Sequence, residues 1–212
     1  MATTVEEWKK VFQGVGKCTN GLNPMEIIKA LSAQAPKDAI LVTDVGQHQI
    51  WAGRYYSVEQ PRTFLTSGGL GTMGYGLPAS VGAKLGQPDK QVMLITGDGS
   101  LQMSLAELAT VVQEKAAVKV LLFNNSHLGM VRELQQDQLG GRYYQTHMRC
   151  NPDFVKLAAA YGIEAFRVKN RDEVDGAIKS LLEYDGPIIA EFMIDPMANV
   201  IPVTRGDKGE TH

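Results

Sequence analysis

The sequence predicts an α/β protein: a single domain with a mostly parallel central sheet and helices on both faces. Two observations carry this expectation. Short apolar runs alternate with segments of helical length, the order that crossover connections between parallel strands produce. Several of the runs also end in clusters of Gly, Asp, Asn and His, at the strand ends where open parallel sheets bind ligands. At 212 residues and 44% hydrophobic composition the chain can bury a sizeable core, and its length suits one domain better than two.

Residues 1–21 read as a polar arm or linker with a short helix around Val5 to Phe12, broken by Gly14, Gly16, Asn20 and Gly21. Asn23-Pro24-Met25-Glu26 then supplies a helix start, with Asn as N-cap, Pro at the first helical position and Glu at the third. That helix should run to about Ala33. Buried strands are expected at Ile40 to Thr43, Thr63 to Leu65, Gln91 to Thr96, Val118 to Phe123, Ile163 to Val168 and Pro187 to Ile194. Helices are expected near 72–86, 101–114, 152–161 and 171–184. The domain so defined spans 22–204, and 205–212 is a polar tail.

Twenty-one basic and twenty-three acidic side chains leave a formal charge of −2, which gives no electrostatic footprint for nucleic acid or an anionic membrane. Cys18 and Cys150 lie far apart in no metal-ligand spacing, so neither a disulfide framework nor a zinc site is expected, and a reducing cytoplasm fits. The first residues lack the apolar run of a signal peptide, and no stretch approaches the roughly 20 apolar residues of a membrane span.

Four loops carry the chemistry. Asp44-Val45-Gly46-Gln47-His48 follows the first strand, Ser67 to Gly76 the second, Gly97-Asp98-Gly99-Ser100 the third and Asn124-Asn125 the fourth. Glycines on both sides of Asp98 let the backbone turn sharply and bring amides close to an anion. Ser100 to Phe123 is 24 residues, enough for one helix and one returning strand, which would set Asp98 and Asn125 side by side. A carboxylate and an amide oxygen, joined by a backbone carbonyl and phosphate oxygens, make a hard-oxygen site for magnesium or calcium. Such a site would bind a diphosphate.

Gly-Asp-Gly followed at this interval by Asn-Asn resembles the thiamine-diphosphate motif. The segments Asp44 to Ala52, Thr66 to Ala79 and Asn124 to Arg132 are similar to acetolactate synthase catalytic subunits in particular, and the resemblance covers about residues 22–204. It implies the thiamine-diphosphate-binding fold, with thiamine diphosphate and Mg2+ as cofactors. Asp98 and Asn125 would be side-chain metal ligands, and His127 would add its backbone carbonyl. Gln47 and His48 match positions that contact the diphosphate, and Gly99 and Ser100 would give backbone and hydroxyl contacts. Met73 matches the hydrophobic side chain that props the cofactor into its bent shape, with Gly71 and Met130 beside it. Gly46, Gly97, Leu128 and Gly129 complete the expected cofactor contacts.

The implied reaction is decarboxylation of a 2-oxo acid such as pyruvate and joining of the product to a second 2-oxo acid. In the family one further group is needed, a glutamate that hydrogen-bonds the pyrimidine ring from a separate pyrimidine-binding domain. No such domain is present here. The resemblance therefore implies no catalytic residue in this chain, an isolated chain without turnover, and a homo- or hetero-oligomer that brings in a partner chain or a missing N-terminal part.

Two departures bear on substrate. Glu133-Leu134-Gln135 stands where the family usually has Gln-Trp-Gln, which reduces a bulky wall, and Gln136 to Gly141 replaces an expected aromatic stretch. Three alternatives stay open: a subunit of a two-chain 2-oxo acid decarboxylase, a non-catalytic cofactor-binding or regulatory subunit, and a dinucleotide-binding domain in which Gly69-Leu-Gly-Thr-Met-Gly74 is the phosphate loop and Asp98 the ribose-binding acid.

Overall fold

The computed structural model describes residues 20–200. The expected helix near Val5 to Phe12, the end of the domain at 201–204 and the tail lie outside the described residues.

In chain order the elements are α1 (Pro24–Gln34), β1 (Ile40–Thr43), α2 (Gln47–Tyr55), β2 (Phe64–Thr66), α3 (Gly76–Gly86), β3 (Val92–Gly97), α4 (Asp98–Gln102), α5 (Glu107–Gln113) and β4 (Val118–Asn124). They continue with α6 (Gly129–Gln138), α7 (Phe154–Ala160), β5 (Glu164–Val168), a 3-10 turn at Arg171–Glu173, α8 (Val174–Glu183) and β6 (Ile188–Met193). The six strands form one sheet in the order β2-β1-β3-β4-β6-β5, and every pairing is parallel.

Each strand alternates its side chains between two apolar layers, because successive residues point to opposite faces. Leu41, Met93, Ile95, Leu121, Phe123, Ala190 and Phe192 pack under α1, α2 and α8, against Ile27, Leu31, Trp51 and Ile178. Ile40, Val42, Val92, Leu94, Val120, Leu122 and Ile189 pack on the other side against Leu77, Val81, Leu108, Val111 and Phe154 from α3, α5 and α7. Burying each such side chain contributes about 1.5–3 kcal/mol. Two covered faces leave few polar positions in the central strands, Lys119 of β4 and Glu191 of β6 among them, so these read in the sequence as largely apolar runs.

From β1 the chain steps outward to β2 and then crosses back to place β3 on the other side of β1. The connections leaving β1 and β3 therefore diverge at the carboxyl edge and open a crevice, the topological switch point of doubly wound sheets.

Several expected elements are corrected. The helix expected over 72–86 begins at Gly76, after a turn. The helix expected over 101–114 is split into α4 and α5, because Met103, Ser104 and Glu107 donate three residues back and tighten the chain between them. Two further helices were not expected. In α2 the buried residues are Gln47, His48, Trp51 and Ala52, so half of its inner face is polar. In α6 the buried residue is Arg132, which leaves no apolar stripe to read. Asn23 does cap α1, its Oδ1 accepting from the Met25 amide at 3.0 Å, with Pro24 at the first position.

Candidate cofactor-binding site

At the switch point lies a cleft whose empty space, counted out to bulk solvent, is about 750 Å³. Its wall is made by the loops after β1, β2, β3 and β4. All fourteen residues expected from the sequence to contact cofactor or metal line it, from Gly46, Gln47 and His48 through Gly71, Met73 and Gly97 to Ser100 to Asn125 and His127 to Met130. Val45, Trp51, Phe123, Val131 and Ile194 line it too and were not expected, whereas Leu134 was expected in the wall of the substrate channel and lies there. Trp51 and Phe123 carried only a core signal, and Ile194 belongs to the segment after β6.

Asp98 opens α4 directly from the end of β3, and its residue is 2% exposed. Burial raises its carboxyl pKa to about 6, against hydrogen bonds from Asn151, Gly99 and Ser126 that lower it. One strand over, β4 ends in Asn124, placing Asn125 beside Asp98 through the Gly97–Phe123 pairing. Both asparagines turn the chain: Asn124 Oδ1 accepts from the Ser126 amide and Asn125 Oδ1 from the His127 amide, each at 3.0 Å, with Ser126 at φ +54°.

His127 faces His147 across a short antiparallel bridge, the two rings stacked at 4.6 Å. The flanking bonds run from Leu128 to Thr146 and from Met148 to Ser126, both 2.8 Å. In that pattern the peptide groups of His127 and His147 point away from each other. The His127 carbonyl is thus turned away from the 146–148 segment.

One buried carboxylate, one amide oxygen with a spare lone pair and one peptide carbonyl form a donor set of oxygens alone, which fits a hard divalent cation. Among the described residues there is no cluster of three His, Cys, Asp or Glu side chains that would hold a transition metal instead.

Across the cleft, His48 is 6% exposed and its Nε2 has no hydrogen-bond partner. Its ring bonds the Asp44 backbone, which with Nε2 free must be through Nδ1, and burial lowers its pKa to about 3. The unfolded chain therefore takes up this proton first. Stability from this site is lost as pH falls from about 6.5 toward 3, at about 1.4 kcal/mol per pH unit. Asp98 acts in the opposite sense between pH 3.8 and about 6. The His48 contribution is isolated by urea unfolding of wild type and His48→Gln at pH 7 and pH 5. The variant is expected to improve by about 2 kcal/mol relative to wild type at the lower pH, and parallel behaviour of the two proteins would show that His48 is not held neutral.

Gln47 Nε2 donates to Glu133 Oε2 at 2.7 Å and to the Ala198 carbonyl at 3.0 Å, which leaves Gln47 Oε1 buried without a partner. A Cβ added at Gly129 would lie 2.0 Å from that oxygen and 2.8 Å from Asn125 Nδ2, so any larger residue at the start of α6 would displace the ends of both side chains. At Gly99 an added Cβ would meet Leu128 Cδ2 at 2.9 Å, and Met73 Cε would be 3.6 Å away. Met73 thus reaches across the cleft toward α4. The Ser100 hydroxyl, expected to contact cofactor, lines the cleft and donates to the Val45 carbonyl at 2.9 Å, which ties α4 to the loop after β1.

Asp44, absent from the expected contacts, shapes the glycine loop. Its fully buried carboxylate accepts from the amides of Val45 (2.7 Å), Gly74 and Gly76 (both 2.9 Å). Burial raises its pKa and these bonds lower it. The loop could not close on it with a side chain at Gly76, whose Cβ would sit 2.8 Å from Asp44 Oδ2. Asp-Val-Gly before a helix, with a glycine run some thirty residues on, is the signal that could have found it.

Residues 44–192 match the model of the thiamine pyrophosphate enzyme C-terminal domain, the thiamine-pyrophosphate-binding domain. The chain belongs to this family. Among curated proteins, the acetolactate synthase isozyme 2 large subunit of Escherichia coli K12 is 44% identical over 177 residues, covering 84% of this chain and 32% of that protein. The mitochondrial acetolactate synthase catalytic subunit of Saccharomyces cerevisiae is 41% identical over 97% of this chain and 31% of its own length. A solved structure, the thiamine diphosphate-dependent 4-hydroxybenzoylformate decarboxylase of Rhodococcus jostii RHA1, superposes with a TM-score of 0.78 at 29% identity, covering 87% of this chain and 34% of that one. The chain thus spans about a third of the relatives it matches.

As a thiamine-pyrophosphate-binding domain the sheet order also makes sense of the glycine run. A dinucleotide fingerprint at Gly69–Gly74 would follow β2 and need its ribose acid at the end of a neighbouring strand. Here β2 is an edge strand paired with β1 alone, and Asp98 follows β3 on the far side of β1.

Proposed function

We propose that this chain is the thiamine-diphosphate- and magnesium-binding part of an acetolactate synthase-like enzyme, acting on pyruvate or a related 2-oxo acid. The observation that carries this reading is the meeting of the Asp98, Asn125 and His127 oxygens with the partnerless His48 Nε2 in one cleft. When bound, the cofactor supplies the nucleophilic carbon and electron sink that 2-oxo acid decarboxylation requires. The residues of this chain would do the rest: Asp98, Asn125 and the His127 carbonyl hold the cation that neutralises the diphosphate, and Met73 supports the bend of the cofactor. A diphosphate beside His48 would favour the charged ring, whose Nε2–H then has an acceptor.

For Gln47 to donate to a diphosphate, its amide must give up either Glu133 or the Ala198 carbonyl, since both of its N–H groups are engaged and a phosphate oxygen only accepts. Glu133→Gln weakens the competing acceptor, putting a neutral amide oxygen in place of a carboxylate, and removes a negative charge near the anion. Thiamine diphosphate is expected to bind this variant about 3- to 10-fold more tightly, as read by titration calorimetry. Unchanged or weaker binding would remove Gln47 from the diphosphate contacts.

The catalytic glutamate is expected on a pyrimidine-binding domain outside this chain, either a separate subunit or an N-terminal part, joined in an oligomer. A second reading, a two-chain 2-oxo acid decarboxylase, is favoured by Leu134, a modest side chain in the cleft wall that is 49% exposed. Pull-down with the tagged chain from its source cells, followed by incubation of the eluate with pyruvate, magnesium and thiamine diphosphate, tests both. A co-purifying pyrimidine-binding chain with acetolactate as product supports the synthase; aldehyde alone supports the decarboxylase. Absence of turnover from a complex that contains the partner would refute both.

A further inference from the structure

We propose that Asn151 is a positioning residue for the metal site: its side-chain amide, oriented by Asn124 and Gln102, fixes the Asp98 carboxylate for magnesium. The inference rests on the reading that Asp98 ligates the cation. Asn151 lies in the segment before α7, outside the four loops that form the cleft wall.

Asn151 Nδ2 donates to Asp98 Oδ2 at 2.7 Å and to Asn124 Oδ1 at 3.3 Å. Its Oδ1 accepts from Gln102 Nε2 at 3.1 Å, and Gln102 Nε2 also donates to the Asp98 carbonyl at 3.1 Å. Behind Asn124 the chain of bonds continues: Asn124 Nδ2 donates at 2.7 Å to Glu191, which is 1% exposed and paired at 2.6 Å with Arg167 Nε.

The polarity of this network has one solution. A carboxylate only accepts, so Glu191 requires the NH2 of Asn124, which turns the Asn124 oxygen toward Asn151. Asn151 must then present its own NH2 to two acceptors, Asn124 Oδ1 and Asp98 Oδ2, and its oxygen to Gln102. Two carboxylates at the ends thus set both amides between them. The result is that Asp98 Oδ2 is held at a fixed place between α4 and the segment before α7, and the carboxylate cannot rotate freely about its terminal bond.

Orientation matters more for magnesium than for calcium, because magnesium demands near-octahedral geometry while calcium accepts varied and bidentate carboxylates. Residues that orient metal ligands in this way typically account for 10- to 100-fold in affinity. A purely structural role for Asn151 would affect both cations alike, through stability.

The test titrates Mg2+ and, separately, Ca2+ into the full chain carrying Trp8→Phe, with thiamine diphosphate present, reading quenching of Trp51 in the cleft wall. Wild type, Asn151→Ala and Asn151→Ser are compared, with unfolding temperatures measured without metal. The expected result is a half-saturating Mg2+ concentration raised about tenfold in both variants, a smaller rise for Ca2+, and full quenching recovered at high Mg2+. Should Asn151→Ala fold poorly, Asn151→Ser and Gln102→Leu carry the test, the latter with a rise of about threefold. Half-saturation within twofold of wild type, or equal losses for the two cations, would overturn the role. A wild-type chain without magnesium-dependent quenching, even with the pyrimidine-binding partner added, would remove the cofactor reading itself and the role with it, a failure seen in the control and not in the variants.

Discussion

Replacing Asp98 with Asn is expected to lower magnesium affinity, and thiamine diphosphate affinity with it, by at least about 100-fold, while making the metal-free protein more stable. The two effects have one origin. Asp98 supplies the charge in a donor set whose other members are a neutral amide and a neutral carbonyl. Without a cation its carboxylate is buried and its pKa is raised to about 6. A raised carboxyl pKa means the folded state holds the proton longer, so stability falls as pH rises between 3.8 and about 6 and the full cost is present above that. Removing the charge with a near-isosteric amide recovers about 1–3 kcal/mol at pH 7. Calorimetric titration and urea unfolding of the same preparations check both halves. A variant that loses binding and also loses stability would mark Asp98 as a structural residue.

Gly129→Ala is expected to be the most damaging substitution of a single small residue in the cleft. Its Cβ would stand 2.0 Å from Gln47 Oε1 and 2.8 Å from Asn125 Nδ2, closer than any real contact. Neither neighbour is a free end: Gln47 is tied to Glu133 and Ala198, and Asn125 Oδ1 accepts the His127 amide. Something must move, and either movement opens the site. A loss of about 1–3 kcal/mol in stability and no measurable cofactor binding are expected, read by thermal unfolding and by titration. By contrast Gly140→Ala, where an added Cβ meets nothing within 4 Å, should be tolerated by the cleft, although its φ of +59° strains the backbone there.

The parts of the fold that a reader of the sequence can recover are those fixed by two-sided burial. β1, β3, β4 and β6 are apolar runs because both faces of each strand are covered, and α1 declares itself through Asn23 and Pro24. What stays hidden is placed by function. α2 turns Gln47 and His48 into the protein, and α6 buries Arg132, whose guanidinium donates to Gln136 at 3.1 Å and to Asn199. Helices that bury polar side chains lose the apolar period by which helices are recognised.

The same division holds within the site. Loops at strand ends could be named from their glycines, asparagines and Asp98, and the structure brings those residues to one cleft. Asn151 behind Asp98 could not, because it acts through a bond to a residue 53 positions away. Nothing local in the sequence reports such a bond. Hydroxyl and amide directions were equally hidden: Ser100 is turned to Val45 and Gln47 to Glu133 by partners that only the fold supplies.

The most direct test of the cofactor assignment is a calorimetric titration of thiamine diphosphate into the chain, first with magnesium and then with the metal chelated. Saturable binding that depends on magnesium and disappears in Asp98→Asn is expected. Binding that is indifferent to the metal and to Asp98, or no binding even in the presence of the pyrimidine-binding partner, would contradict it.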